Sequence, residues 1–357
     1  MSTSYEHQLD ILLERFKFHF TKSEIKKVIE ITSQSRDKFK EDVLAVISKS
    51  SELQEKIDEL GLLALQLDTR QIEVYSISND ITKLALNTLF TSVKLTNKTL
   101  LKDAFPFPIE DKSKLDSLKT GKVYPILSDI VKMGENDYKR LVVSTIIVKE
   151  VEEPVPTTHL SREGREYQDD NATYMMKRKV RTQLFHVVYW CEELSRLVLS
   201  VDRNVLSLFI TQDQLFLLKQ FLMSNGVDSG SAINVFGAIE PLYNADDGYV
   251  TKIGHVTTDG NPVRIPLKSK QKCLKKDHYH KAGEGGGHVH AKFAVSKKWE
   301  FKIAETQRTV DIEVGLNGQP KMLDTAQPLS DFTIIKSKRL EDMNFAINKV
   351  LTHTPNA

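Results

Sequence analysis

The chain has 357 residues, 40% of them apolar and 27% charged, with a formal net charge of +2 and two cysteines. That balance excludes a disordered chain, and two cysteines exclude a disulfide framework. The opening MSTSYEHQLD lacks a basic start and an apolar core, and the best apolar run, Leu194–Leu222, is broken by charges. No signal peptide, no membrane span and a cytoplasmic location are therefore expected.

Residues 5–67 read as helix, with Thr21-Lys-Ser-Glu24 forming a capping box. From Phe39 onward, Phe39, Val43, Val46, Ser50, Leu53, Ile57, Leu60, Ala64 and Leu67 are spaced alternately by four and three. Such a heptad stripe must be buried on another helix. Two partners are open, the segment 5–32 of the same chain or a second chain. Residues 39–67 are accordingly predicted as a coiled-coil-like seam for a homo-oligomer or a partner helix.

Gln71–Ile77 alternates like a strand, and Asp80 can cap a short helix through Phe90. Residues 103–125 hold three prolines and a glycine and read as an irregular connection. Tyr124–Met133 reads as a short helix closed near Gly134, and the β-branched run Leu141–Val148 as a strand buried on both faces. The polar stretch 153–170 reads as a linker or mobile loop, with one sheet spanning it as the alternative.

Val180–Cys191 and Leu197–Asp202 form a predicted hairpin, and His186 between apolar neighbours is read as a core imidazole. Thr211–Met223 is an amphipathic helix capped by Thr211 and stopped at Asn225-Gly226. Tyr249–Thr257 and Val263–Leu267 flank Thr258-Asp-Gly-Asn261, which suits a type I′ turn. Val289–Val295, Trp299–Ile303 and Thr309–Val314 continue the strand pattern, and Lys338–Leu351 closes the chain as a helix. The expected fold class is α+β, a helical arm followed by a mixed, mainly antiparallel sheet module with a few packed helices. The expected division is 1–70 helical arm, 71–152 small α/β region, 153–170 linker, and 171–357 antiparallel α+β domain.

The strongest functional signal is 261–299, with ten Lys or Arg against Asp277 and Glu284, four of the ten histidines, and Gly283-Glu-Gly-Gly-Gly287 as a hinge. The remainder of the chain is net acidic. Lys268, Lys270, Lys272, Lys275, Lys276, Lys281, Lys292, Lys297 and Lys298, interleaved with Tyr279, Phe293 and Trp299, predict contact with the phosphates and bases of DNA or RNA. Lys177-Arg178-Lys179 is a second, smaller basic cluster. The leading expectation is a non-enzymatic nucleic-acid-binding protein without a cofactor.

Two alternatives use the same stretch. His278-Tyr-His280 and His288-Val-His290 are H-x-H pairs, and four imidazoles would suit zinc or another divalent transition metal. His290-Ala-Lys292 is similar over about eight residues to the H-x-K of the phospholipase D superfamily, which implies a histidine nucleophile and a phosphate-holding lysine. Lys297 stands where that superfamily has Asp. A phosphodiesterase or nuclease would use His288, His290 and Lys292 as its catalytic group. An interaction scaffold, its basic loop meeting an acidic protein, is the third possibility.

Overall fold

The strand β1 (Asp68–Ser76) stands at the centre of one ten-stranded sheet in the computed structural model, which describes residues 4–162, 174–204, 206–268, 272–302 and 309–355. The other strands are β2 (Val123–Met133), β3 (Asn136–Pro154), β4 (Met175–Cys191), β5 (Arg196–Asp202), β6 (Tyr249–Val256), β7 (Pro262–Pro266), β8 (Lys292–Lys302), β9 (Thr309–Asn317) and β10 (Asp331–Ser337). Their order is β2-β3-β4-β5-β1-β10-β9-β8-β6-β7, and neighbours pair antiparallel. The α+β class therefore holds.

Alternation along the strands sorts side chains to two covered faces. Ile72, Val74, Val187, Tyr189 and Val198 join one core, beneath the helices α1 (Tyr5–Arg15), α2 (Lys17–Ile25), α3 (Arg36–Ile47) and α4 (Ser51–Ala64). Tyr75, Val188, Trp190, Leu197 and Leu199 join the other, beneath α5 (Asp80–Ser92), with α6 (Thr99–Ala104) following it in the chain, and α7 (Leu208–Ser224). Covering on both faces is why Leu141–Val143 and Ile146 are buried without a polar alternate.

The heptad stripe is buried within its own chain. Phe39, Val43, Leu53, Ile57, Leu60, Ala64 and Leu67 are all buried, whereas Val46 is exposed. The stripe is also not one helix: the chain breaks after Ile47, and Ser50 Oγ accepts from the Leu53 amide at 3.2 Å to start α4. α1 packs on α2, α3 and α4, so the apolar face has an intramolecular partner. Of the two partners left open for the stripe, the structure shows the one within the chain, helices of residues 5–32, and it does not show a seam for a second chain.

Other expectations change for local reasons. Tyr124–Met133 is strand β2, not a helix; Gly134, at φ +67°, makes the tight turn that pairs Met133 with Asn136 and sends the chain back as β3. The proposed linker 153–170 does not divide the sheet, because β3 and β4 flank it and pair from Lys139 with Trp190 to Pro154 with Met175. Residues 163–170 of it lie outside the described residues. α5 is capped by Asn79 rather than Asp80, and α7 by Ser207 rather than Thr211, whose hydroxyl instead donates to the Ser207 carbonyl. The predicted strands Val289–Val295 and Trp299–Ile303 merge into one strand, β8, which runs from Lys292 to Lys302. Among the described residues no helix is long and apolar enough to cross a membrane.

Candidate functional site

The basic stretch leaves the sheet after β7 and rejoins it at β8, and most of the excursion is structured. Buried Cys273 and Leu274 tie it to the core, and Asp277 Oδ1 accepts from the His280 amide at 3.0 Å to open a helix, α9 (His278–Gly285). Gly286 and Gly287 (φ +72°) then end that helix, with the Gly287 and His288 amides donating to the carbonyls of Glu284 and Gly283. Of the glycines read as a hinge, Gly283 and Gly285 lie within the helix and Gly286 and Gly287 stop it. The short helix from His278 to Gly285 escaped sequence reading because two glycines weaken its helical pattern.

Folding pairs many of the lysines. Lys297 is buried on β8, donating to the carbonyls of Leu242 (3.0 Å) and Ala245 (2.7 Å) and ion-paired with Asp247 at 2.8 Å. Lys292 pairs with Glu240 at 2.9 Å and lies 4.5 Å from the centre of the Tyr243 ring. Lys275 covers the same ring at 5.3 Å and sits 3.9 Å from Asp246. Lys272 meets Glu300 at 3.5 Å, and Lys298 meets Asp311 at 3.0 Å. The acids come from outside the stretch, mainly from the short helix α8 (Ile239–Asn244) and the turn behind it. Asp246-Asp247 was the visible signal, but only the pairing of β6 with β8 places it.

Burial alone would raise the Asp247 carboxyl, but Lys297 and Lys349 outweigh it and hold it below the usual carboxylate range. Among the described residues, Lys268, Lys276 and Lys281 are exposed and make no ion pair. Lys270 lies outside the described residues. Between Lys276 and Lys281 stands Tyr279, 82% exposed, the most exposed large aromatic or aliphatic side chain described.

The second basic cluster is elsewhere. On β4, Lys177 pairs with Glu152 at 3.0 Å and Arg178 with Glu153 at 2.9 Å, while Lys179 is exposed. Five strand spacings separate β4 from β8, on the order of 24 Å. The structure does not bring the two clusters together.

Nor does it assemble the four histidines. His280 is buried, while His278, His288 and His290 are exposed. Among the described residues no group of three or more His, Cys, Asp or Glu is placed to hold a metal ion. The candidate catalytic set His288, His290 and Lys292 is likewise weakened, since Lys292 is already neutralised by Glu240. His186 sits in the core, its Nε2 3.0 Å from Thr145 Oγ1 and its Nδ1 accepting from the Asp202 amide; burial lowers its pKa to about 4.

What sequence reading missed is His255. It is buried on β6 and, with Thr257, Val263, Ile265, Tyr279 and His280, lines a cavity of about 390 Å³ between the β6–β7 hairpin and α9. No protein-family model matches the chain, and no curated protein is found to be similar to it.

Proposed function

We propose that the protein binds single-stranded DNA or RNA through Lys268 and the outer surface of residues 272–281, without itself being an enzyme. The observation that supports this reading is Tyr279, its ring almost wholly in water between two unpaired lysines. Water contact over so large a ring is unfavourable in isolation and is relieved by a stacking base. Lys276 and Lys281, with Lys268, act as point charges toward phosphate, needing no fixed base sequence.

The number of contributing lysines sets the salt response. Three phosphate contacts give log K against log salt a slope of about −2 for a single strand, whereas all nine lysines of the stretch would give about −6. Equilibrium anisotropy with an unrelated 12-nucleotide strand, titrated from low to moderate salt, should return the shallower slope. No binding at low salt would end the proposal.

A further inference from the structure

The cavity under α9 holds a polar group whose state can be worked out. Tyr243 Oη donates to Glu284 Oε1 at 2.6 Å and lies 2.8 Å from His280 Nε2. Burial and the Glu284 charge raise the Tyr243 pKa, so the phenol keeps its single proton, and that proton goes to the carboxylate. The phenol oxygen must then accept from His280, which places the ring proton on Nε2. Burial lowers the His280 pKa more than Glu284 raises it, so the ring is neutral and Nδ1 carries a bare lone pair. His280 Nδ1 and His255 Nδ1 are both buried, and neither has a hydrogen-bond partner among the described residues. An orphaned buried acceptor or donor costs about 1–3 kcal/mol, so each is a place for a partner to arrive.

The cavity walls say what that partner is. Val263, Ile265 and the Tyr279 ring offer apolar faces, the volume is in the range of small-ligand sites, and no Lys, Arg, Asp or Glu lines it. A phosphate or carboxylate would meet only the imidazoles of His255, His280 and His288 there, with no Lys or Arg as a fixed counter-charge. A flat heteroaromatic ring with an N–H edge fits both the faces and the free acceptor. Tyr279 connects this space to the outer surface, since its ring lines the cavity and is also 82% exposed.

Resting on the single-strand reading, we infer that the cavity between the β6–β7 hairpin and α9 receives one unstacked nucleobase of the bound strand, an N–H of the base donating to His280 Nδ1. Every base carries at least one such N–H, so no base preference follows from this contact alone.

The test compares a labelled 12-nucleotide strand with its abasic counterpart on the full chain, for wild type, Val263→Phe and His280→Ala. Val263→Phe fills the cavity from an edge strand and leaves the Tyr243–Glu284 contact intact; circular dichroism confirms that each variant is folded. Wild type should prefer the base-bearing strand by about tenfold, and both variants should lose most of that preference while still binding the abasic strand. An unchanged preference in Val263→Phe assigns base contact to the outer face of Tyr279 alone and overturns the cavity inference, leaving strand binding intact. A free nucleoside monophosphate that competes as well as the strand overturns the strand as the source of the base. Failure of wild type to bind either strand defeats the single-strand reading itself.

Discussion

Asp202→Asn should lower the unfolding free energy by about 3–5 kcal/mol, read from urea midpoints at neutral pH. Asp202 is 1% exposed at the end of β5 and takes two contacts from Arg15, at 3.1 and 2.8 Å. Arg70, wholly buried, lies 3.9 Å from the same carboxylate and donates to Ser200 Oγ and to the carbonyls of Leu65, Phe185 and Ser200. Burial brings the Arg70 pKa down to about 10, so it stays charged and depends on Asp202 for its counter-charge. The amide of Asn keeps the shape and removes the charge, which leaves a guanidinium stranded in the interior. A loss below about 1 kcal/mol would mean that the carbonyls alone hold Arg70.

The same cluster fixes an acid response with two windows. Burial raises the Asp202 carboxyl, but Arg15 and Arg70 outweigh it and hold its folded pKa well below the usual range. Its stabilisation is complete above about pH 4 and fades as pH falls below that value. Asp68 runs the other way: desolvation pushes it up to about 6, so its ionised form opposes folding and protonation relieves it between pH 6 and 4. His186 opposes this gain, because its buried ring stays neutral down to about 4 while the unfolded imidazole protonates from about pH 6.5, so wild-type stability should stay level or fall slightly from pH 6 to 4 and drop more steeply below 4. Asp202→Asn should flatten the drop.

Lys297→Met should cost about 3 kcal/mol without changing the affinity of the folded protein for nucleic acid. The methionine keeps the buried stem and removes the ammonium, so the carbonyls of Leu242 and Ala245 lose their donor. Asp247 keeps Lys349, which places the expected cost at the lower end for a broken buried pair. Urea unfolding and strand binding on the same preparation check both halves. Reduced affinity at full stability would instead make Lys297 a ligand contact.

The sequence made the strands of this fold legible wherever both faces are apolar or a turn is chemically marked. Leu141–Val148 and the hairpin around Asp259-Gly260 are examples, with Gly260 at φ +83°. It could not place β10, the neighbour of β1, because pairing across more than 250 residues leaves no local trace. It misread β2 because Ile126, Leu127, Ile130 and Val131 satisfy a helical stripe as well as a half-buried edge strand. For the site, the charge run and the exposed aromatic were visible. Their sorting was not: Lys297 points inward and Lys276 outward because strand register and the acids of 240–247 decide it. His255 carried no signal, lying outside the basic stretch on a strand whose partner brings the cavity together.

On the proposed function, folding divides one run of lysines into framework and ligand contacts, and two charge reversals of equal size test that division. Lys276→Glu/Lys281→Glu and Lys177→Glu/Lys179→Glu change net charge identically, the first pair beside Tyr279 and the second on β4. Measured against one labelled strand at fixed low salt, the first should weaken binding by about 100-fold or more and the second by less than about threefold. Equal losses would mean that only net charge attracts the strand, and an unaffected Lys276→Glu/Lys281→Glu variant would remove these lysines from the proposed binding surface.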